Sequence, residues 1–269
     1  GGAVSMPRRR AAIFTIVQNE PVFLPIWARN DRRHCAADDC FALDHDSTDP
    51  TTVTIAKHFH RVPIHRNHSF DHDWLRTVVR QFQCFLLQSY DLVLFTEIDE
   101  IVAADPIACP GGLQEYLAAV PDGLAHVRCT GWEVIQQPDE AVIDWDRPLL
   151  AQRRAGAACR AYSKPLLARV PLDWHPGFHS ADNVPAFPEG IDPRLLLLHL
   201  HRVDFGYCLA RNQAAAERKW SADDLAVGAG AQNRIVDVEA LRTWFYTGDA
   251  VGDDLTISPL PGHFQQIVV

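Results

Sequence analysis

The sequence predicts an α/β fold in which a mostly parallel central sheet is flanked by helices. Short apolar, β-branched segments alternate with segments of helical periodicity along the first half of the chain, and polar residues follow the ends of three predicted strands. This alternation is typical of a doubly wound parallel sheet. A single domain is expected, because α/β domains often reach the 269 residues of this chain as one unit.

Four short apolar segments in the first half predict the strands of this sheet. They are rich in β-branched or aromatic residues and are bounded by polar, turn-forming residues. The segments cover residues 11–17, 40–43, 61–64 and 92–96. Helices are expected between them, at residues 21–30, 52–58 and 74–89. The last helix is predicted most clearly, because its apolar side chains recur at helical spacing along one stripe.

The second half has a less regular pattern. Its predicted strands cover residues 126–129 and 195–200, with a strand pair between residues 160 and 170. Its predicted helices cover residues 113–120, 207–219 and 238–245. Prolines are frequent from Pro165 to Pro193, which indicates long ordered loops around a site more than a separate domain.

Polar clusters follow three of the predicted strands. They are Gln18-Asn19-Glu20, the run from Asp44 to Asp49, and the run from Glu97 to Glu100. In open α/β sheets, ligands bind beyond the carboxyl ends of the strands. We therefore expect the three clusters to converge and to form the functional site.

Charge and cysteine content exclude several classes of protein. The chain has 25 Lys and Arg against 34 Asp and Glu, a net charge of −9 that argues against a nucleic-acid-binding surface. No apolar run approaches the roughly 20 residues of a membrane-spanning helix. Seven cysteines without a Cys-x-x-Cys pair favour reduced thiols and a cytoplasmic location. Residues 1–10 lack a signal-peptide core and are expected to be a flexible N-terminal segment.

Glu97 and Asp99 follow the fourth predicted strand and are separated by one residue. Because side chains alternate along a strand, the two carboxylates are expected on one face. Nearby carboxylates repel each other unless a cation or a proton lies between them. Mg²⁺ or Mn²⁺ bound together with substrate phosphates fits this arrangement. The alternative is a solvated acidic turn that caps a helix.

Several of these segments resemble the family 2-type glycosyltransferases. Asn19-Glu20 after the first strand, Trp27 in the next helix and residues 44–49 are similar to signatures of that family. Residues 95–100 are similar to its Asp-x-Asp segment. Together the similar segments extend from residue 11 to about residue 105, in the order found in the family.

The resemblance implies a GT-A-type, Rossmann-like single domain. Residues 11–105 would bind the nucleotide sugar, and residues 106–269 would form a smaller acceptor-binding and C-terminal half. Two positions depart from the family pattern: Glu97 replaces the first Asp of the Asp-x-Asp segment, and Pro50 replaces a Gly. Asp99 corresponds to the usual metal ligand, so the first departure weakens the match only slightly.

The resemblance also implies which residues bind the nucleotide. Asp44 or Asp46 would accept hydrogen bonds from the base or the ribose, and Arg76 or Arg80 would contact the diphosphate. The residues that would line the pocket at the end of the first strand are Thr15, Val17, Asn19 and Glu20.

A metal site is implied at the end of the fourth strand. Asp99 would hold Mn²⁺ or Mg²⁺ on the diphosphate, and Glu97 would contact the ribose or a metal-bound water. His199 and His201 end a predicted strand one residue apart, so both rings should face the same side. This segment resembles a histidine segment near the C-terminal end of the same family, which implies that His199, or alternatively His201, completes the metal site. A hydrogen-bonded histidine at a strand end remains the alternative.

These observations predict a metal-dependent transferase that moves a sugar from a nucleoside diphosphate sugar, most simply a UDP-sugar, to a hydroxyl acceptor. The acceptor could be a glycan, a lipid-linked molecule or a small molecule. Candidates for a catalytic base are Glu133, His179 and Asp182. The competing hypotheses are a metal-dependent phosphohydrolase or nucleotidyltransferase on a similar sheet, and a module that binds nucleotide sugar without turnover.

Overall fold

A computed structural model describes residues 11–31, 33–55, 58–65, 69–247 and 255–269. Within these residues, ten strands form one sheet. The segment expected to be flexible, residues 1–10, lies outside the described residues. The α/β class predicted from the alternating pattern is confirmed, with a large sheet whose centre is parallel and whose helices flank it.

Four parallel strands lie side by side in the order β3-β2-β1-β4, with β3 at the edge of the sheet. Their bounds are β1 Ala11–Val17, β2 Cys40–Asp44, β3 His60–Pro63 and β4 Leu92–Glu97. The helices that connect them are α1 Phe23–Asp31, α2 Pro50–Ile55 and α3 His72–Leu86. All seven elements were predicted, with boundaries that differ by one to three residues at most ends.

Six further strands extend the sheet, mostly in antiparallel pairs. Their bounds are β5 Glu100–Ala104, β6 His126–Val134, β7 Ala155–Ala158, β8 Pro165–Ala168, β9 Ile191–His199 and β10 Ser258–Pro259. Strand β9 lies between β5 and β6, antiparallel to the first and parallel to the second. Strand β5 was not predicted, because Glu100 was assigned to the polar cluster. The four apolar residues that follow it are too few to predict a strand by themselves.

The remaining helices are α4 Gly112–Ala119, α5 Phe205–Glu217, α6 Ala222–Ala226 and α7 Val238–Thr247. The five-residue α6 was not predicted. Among the described residues, no helix combines the length and the apolar character needed to span a membrane. All seven cysteines are free thiols, as expected from their number and spacing.

Apolar side chains cover both faces of the central strands. Along β4, Leu92 and Leu94 belong to one buried cluster, and Val93 and Phe95 belong to another. Helix α1 contributes to the first cluster and α3 to the second. Strands β1, β2 and β4 are therefore buried on both sides, which explains why their sequences are nearly continuous apolar runs without alternation, whereas the edge strand β3 is mostly exposed.

One buried hydrogen bond connects α1 to the centre of the sheet. The indole Nε1 of Trp27 donates to Thr96 Oγ1 at 2.9 Å. Trp27 is fully buried, so its N–H needs a partner inside the protein. This contact fixes the helix that follows β1 relative to the carboxyl end of β4.

Candidate active site

Asn19 joins the polar clusters that follow β1 and β2. Its side-chain oxygen accepts backbone hydrogen bonds from Thr48 and Asp49, each at 2.8 Å, and its backbone N–H donates to Ser47 Oγ at 3.0 Å. Asn19 and Asp46 have φ angles of 51° and 57°. Asn and Asp enter this left-handed region more readily than other non-glycine residues. The ends of β1 and β2 are thereby tied into one edge.

Arg211, on α5, joins the third cluster to the first. Its Nη2 and Nη1 groups donate to Glu20 Oε1 and Asp99 Oδ2, each at 2.8 Å. The guanidinium carbon lies 4.8 Å from the centre of the Phe23 ring. The carboxylates of Glu20 and Asp99 are only 7% and 12% exposed, and ion pairs at low exposure are little screened by solvent. The three clusters that were expected to converge are therefore linked through α5.

Asp99, His199 and His201 form a compact group of donor atoms. One donor atom of each residue lies within 4.8 Å of the others, and all three residues are buried. His199 Nε2 is 3.7 Å and His201 Nδ1 is 3.4 Å from the same oxygen, Asp99 Oδ2. Two imidazole nitrogens and one carboxylate oxygen are a set that divalent transition metals accept.

The pairing of β9 with β5 brings the histidines to Asp99. His199 pairs with Glu100, and the backbone N–H of Leu200 donates to the Asp99 carbonyl at 2.8 Å. The rings of His199 and His201 are parallel within 6°, with centroids 5.8 Å apart. The shared orientation expected from the His-x-His spacing is confirmed.

Glu133 and Tyr162 hold the ring of His199. The Nδ1 atom of His199 is 2.9 Å from Glu133 Oε2, and the Tyr162 ring stacks on the imidazole at 3.8 Å. Burial would lower the pKa of His199, but the carboxylates of Glu133 and Asp99 outweigh it and raise the pKa to about 9. A carboxylate at Nδ1 fixes the ring so that Nε2 faces the Asp99 side, which is the arrangement common behind metal-bound histidines.

His201 has one ring nitrogen engaged and one without a partner. Its Nδ1 atom accepts from Arg211 Nη1 at 3.0 Å. Its Nε2 atom is buried and has no hydrogen-bond partner among the described residues. Burial lowers the pKa of His201. A buried polar atom without a partner is costly in a folded protein, so its environment is consistent with a ligand.

The two carboxyl groups at the end of β4 differ in charge. Burial would raise the pKa of Asp99, but Arg211 and the adjacent histidines hold it well below its usual range. Burial raises the pKa of Glu97 to about 8, and the nearby Glu100 adds to the rise. Glu100 forms a fully buried ion pair with Lys164 at 2.6 Å. The opposite shifts favour an ionised Asp99 beside a protonated Glu97, a separation typical of active sites.

A first cavity of about 340 Å³ lies between the end of β1 and α5. Arg211 and Arg218 line it, together with Glu20 and Asp99. Arg218 donates to the backbone carbonyl of Gln18 at 3.3 Å, which holds its guanidinium against the end of β1. Two arginines on the wall of one cavity favour an anionic ligand.

A second cavity, of about 270 Å³, shares part of its wall with the first. The residues common to both are His72, Glu97, Asp99, His201 and Asn233. His179 lines only the second cavity, and its Nδ1 atom is 3.1 Å from the carbonyl of Ala161. Burial lowers the pKa of His179 to about 4, so its imidazole is neutral at physiological pH. The donor-atom group therefore lies where the two cavities meet.

Several residues predicted from the sequence line these cavities. In the first cavity they are Asn19, Glu20, Glu97, Asp99 and His201. In the second they are Glu97, Asp99, His179, His199 and His201. Glu133 lines neither cavity, because it lies behind His199 with its side chain 1% exposed.

Other predicted residues of the nucleotide pocket contact the protein instead. Thr15 and Val17 are 0% and 1% exposed within β1. Asp44 Oδ1 accepts from the backbone N–H of Ser47 at 2.9 Å, and Asp44 Oδ2 forms an ion pair with Arg61. The carboxylate of Asp44 therefore holds the loop after β2 rather than facing the first cavity.

The remaining predicted side chains have partners near the surface. Asp46 pairs with His65, and Asp182 Oδ1 is 2.6 Å from His175 Nε2. Arg76 donates to the carbonyl of Trp174 at 3.2 Å, and Arg80 pairs with Asp173. Neither arginine lines either cavity, because both contact the loop that follows β8.

Sequence analysis did not identify Arg211, Tyr207 or Arg218 as functional candidates. Their spacing gives a signal, since positions 207 and 211 are about one turn apart on α5 and Arg218 directly follows its end, with alanines between them at 210, 214 and 215. Large polar side chains separated by small ones on one helical face are consistent with a cavity wall. Tyr207 and Arg211 both contact Glu20.

Comparisons with known proteins give structural neighbours only. No protein-family model matches the chain, and no curated protein matches it. One solved structure with similarity is glucosyl-3-phosphoglycerate synthase from Mycobacterium tuberculosis in complex with Mn²⁺, UDP and phosphoglyceric acid. The match has 17% identity and a TM-score of 0.30, and it covers 46% of this chain and 43% of that chain. This chain therefore matches less than half of the length of that protein.

A second solved structure is a mannosyltransferase from Pyrobaculum calidifontis in complex with GDP-mannose and Mn²⁺. The match has 13% identity and a TM-score of 0.36, and it covers 90% of this chain and 76% of that chain. Both TM-scores are too low to support an argument about function.

Proposed function

We propose that this chain is a metal-dependent glycosyltransferase with a GT-A-type fold, which moves a sugar from a nucleoside diphosphate sugar to a hydroxyl acceptor. One observation carries the proposal. Asp99, His199 and His201 offer metal-donor atoms at the junction of two cavities, and only the first of these cavities is lined by arginines among the described residues. Such a site can hold a charged donor and an acceptor on either side of a cation.

The metal ion would be held by Asp99, His199 and His201. The mixed oxygen and nitrogen donors favour Mn²⁺ over Mg²⁺, because Mg²⁺ prefers oxygen ligands and keeps several waters. Because Nδ1 of His201 accepts from Arg211, the buried Nε2, which has no partner within the described residues, is the ring nitrogen of His201 free to bind the ion. The Glu133 contact behind His199 is also consistent with this role. When bound, the ion would neutralise charge on the leaving diphosphate.

The first cavity would hold the nucleoside diphosphate. Arg211 and Arg218 place two positive charges on the wall of this cavity, which favours phosphate oxygens there. Asn19 and Glu20 lie at the same cavity, at the end of β1. UDP is the nucleotide that we expect from the resemblance in the sequence.

Among the candidates for a proton acceptor, His179 has the most suitable position. It lines the second cavity, and its Nδ1 atom is oriented toward the carbonyl of Ala161, which leaves Nε2 to accept a proton. Glu97 lines both cavities, and its raised pKa favours the protonated form, which can donate a hydrogen bond there. Glu133 would position His199, and Asp182 is exposed and lines neither cavity.

A thermal-shift screen tests the proposal directly. UDP, GDP, CDP and ADP are each added with Mn²⁺, Mg²⁺ or EDTA, because a ligand that binds the native state raises the melting temperature. We expect one diphosphate to stabilise the protein with Mn²⁺, less with Mg²⁺ and not with EDTA. The corresponding nucleotide sugar should then release free diphosphate in the presence of hydroxyl acceptors.

Three results would count against the proposal. If no diphosphate stabilises the protein under any of these conditions, the proposed transferase function is wrong. Release of inorganic phosphate from simple phosphate esters, with no transfer from a nucleotide sugar, would favour a phosphohydrolase. Binding of the nucleotide sugar without turnover would instead indicate a binding module.

A further inference from the structure

We infer that the second cavity binds an uncharged, polyhydroxylated acceptor of the size of a single sugar residue, rather than a phosphorylated or carboxylated one. This inference rests on the proposed function and specifies its acceptor. It follows from the charge, the polar groups and the rigidity of the cavity wall.

The charge on the wall of the second cavity differs from that on the first. Among the described residues that line it, there is no lysine or arginine, whereas the acidic residues Glu97 and Asp99 are present. The first cavity has Arg211 and Arg218. An anionic acceptor would bring a further negative charge beside Asp99 and the donor diphosphate, and no lysine or arginine among the described lining residues would offset it.

The cationic side chains near the second cavity already have partners. Lys164 is fully buried against Glu100 at 2.6 Å. Arg202 is fully buried, and its guanidinium stacks on the ring of Trp244 at 3.9 Å and donates to the carbonyl of Phe245. Neither side chain can turn into the cavity without leaving a buried group uncompensated.

The histidines on the wall are likewise engaged by the protein. His72 Nδ1 is 3.1 Å from Asp224, and His199 Nδ1 is 2.9 Å from Glu133. His179 Nδ1 is directed at a backbone carbonyl. The Nδ1 atoms of these three imidazoles therefore already have partners and are not available to a phosphate or carboxylate.

Where the first cavity has arginines, the wall of the second cavity has neutral amide groups. The amides of Gln232 and Asn233 each offer donors and an acceptor, which match hydroxyl groups that also do both. Trp244 lines the same cavity, and its buried Nε1 has no hydrogen-bond partner among the described residues. Tyr162 adds a second aromatic ring to the wall. Aromatic rings next to amides are well suited to the mixed polar and apolar surface of a sugar.

The segment that presents the amides is fixed in place. Asn212, on α5, is fully buried, and its Nδ2 atom donates to the carbonyls of Gln232 and Ile235 at 2.9 and 3.1 Å. Gly230 has a φ of 63°, and an added Cβ there would lie 2.8 Å from the Trp220 ring. This part of the wall is therefore a preorganised surface, which reduces the entropic cost of binding.

The volume sets the size of the acceptor group. The second cavity measures about 270 Å³, slightly below the roughly 300–1,000 Å³ typical of small-molecule sites. A single sugar ring fits such a space, and an extended chain would have to continue into solvent. The acceptor is therefore recognised through one terminal hydroxylated unit.

The experiment measures release of nucleoside diphosphate from nucleotide sugars with Mn²⁺ and a panel of acceptors. Methyl glucoside and methyl mannoside are compared with glucose 6-phosphate, mannose 6-phosphate and glycerate 3-phosphate. We expect the neutral glycosides to raise the release rate several-fold above that in water, and the anionic compounds to leave it unchanged. Equal or stronger stimulation by the anionic compounds would overturn this inference.

Failure of the acceptor inference can be separated from failure of the proposed function. If nucleotide sugar binds and is hydrolysed, but neither class of acceptor raises the rate, only the acceptor inference is wrong. If no diphosphate or nucleotide sugar binds with Mn²⁺, the proposed function is wrong and the acceptor inference is lost with it.

A charge variant provides an independent test. Gln232→Lys adds a cation to the wall of the second cavity, whereas Gln88→Lys adds one in the exposed turn that follows α3. We expect Gln232→Lys to lower the KM for the sugar phosphates about tenfold relative to the neutral glycosides, because it supplies the missing counter-charge. No change in this ratio, or the same change in Gln88→Lys, would contradict the assignment of the cavity.

Discussion

Arg211 and Asp99 form an ion pair at 2.8 Å that uses the same carboxylate oxygen, Oδ2, that faces His199 and His201. An arginine therefore occupies one side of the oxygen that would bind a metal ion. The second half of its guanidinium is held by Glu20. Arg211 thus connects the end of β1, the end of β4 and α5. It does so beside the place where the diphosphate of the proposed donor substrate would carry its negative charge.

Arg211→Gln should weaken binding of the nucleoside diphosphate in the presence of Mn²⁺ by tenfold or more, because it removes one of the two positive charges on the wall of the first cavity. Arg211→Lys should give an intermediate loss, since it keeps the charge and loses the planar fork. Isothermal titration measures both affinities. Arg80→Gln, on an exposed arginine outside the cavities, is the control. Equal affinities in Arg211→Gln and the control would exclude Arg211 from the site.

Asp99→Asn should abolish the stabilisation that Mn²⁺ and nucleoside diphosphate give together, because the anionic oxygen of the donor-atom group is lost. The fold should be retained, since Arg211 keeps its bonds to Glu20. Thermal shift and circular dichroism measure the two properties. Asp182→Asn serves as the matched control on an exposed carboxylate. Undiminished metal-dependent stabilisation in Asp99→Asn would remove this residue from the metal site.

Glu133→Gln should lower the affinity for Mn²⁺ by about 10–100-fold, the usual effect of removing a carboxylate that orients a ligating histidine. Metal affinity is measured by titration calorimetry, with the melting temperature of the metal-free variant as a second readout. A purely structural role would lower that melting temperature and leave the metal affinity unchanged, which is the result that would contradict a positioning role.

Lys164→Met should destabilise the fold by about 3–5 kcal/mol, because it leaves the fully buried Glu100 without its counter-charge. The double variant Lys164→Met with Glu100→Gln should recover much of this loss. Urea denaturation measures the free energy of unfolding in each case. If the loss in free energy of unfolding of the double variant equals the sum of the losses of the two single variants, the pair is not coupled.

Asp31→Asn should stabilise the protein at alkaline pH. Asp31, at the end of α1, is 1% exposed, and its Oδ2 atom has no hydrogen-bond partner among the described residues. Burial raises its pKa from 3.8 to about 7. In this group the folded state holds the proton more tightly than the unfolded state, so its contribution destabilises the fold progressively as pH rises from about 4 to about 7.

The Asn variant lacks this ionisation. Its advantage over the original protein should be near zero at pH 4 and should reach a few kcal/mol, roughly 2–4, above pH 7. Urea denaturation at pH 4, 5.5 and 8 measures the difference, and Asp38→Asn, on an exposed carboxylate, is the control. An advantage that is the same at all three pH values would show that the effect is not ionisation.

The parts of the site that could be predicted depend on local sequence. Asp99 follows an apolar strand directly, and His199 and His201 share a face because of their two-residue spacing, so both features could be recognised without a structure. Strand order then brings the ends of β1, β2 and β4 together. These relationships follow from period and connectivity alone.

The parts that could not be predicted depend on pairing across the sheet. Glu133 was a candidate base, but β6 pairs with β9 so that Glu133 lies opposite His199. Arg211 comes more than a hundred residues after Asp99 in the sequence, and only the packing of α5 against the end of β1 brings them together. A single sequence contains no direct record of such register and packing.

The position of β9 between β5 and β6 has a consequence for how the protein folds. Asp99 follows β4, in the first half of the chain. Both histidines come close to it only after β9 has paired with β5 and β6. Such long-range pairing is slow to form, because a large loop must close first. Capture of a divalent ion would thus be a late event in folding. The rate of ion binding, followed after dilution from denaturant, would report when β9 enters the sheet.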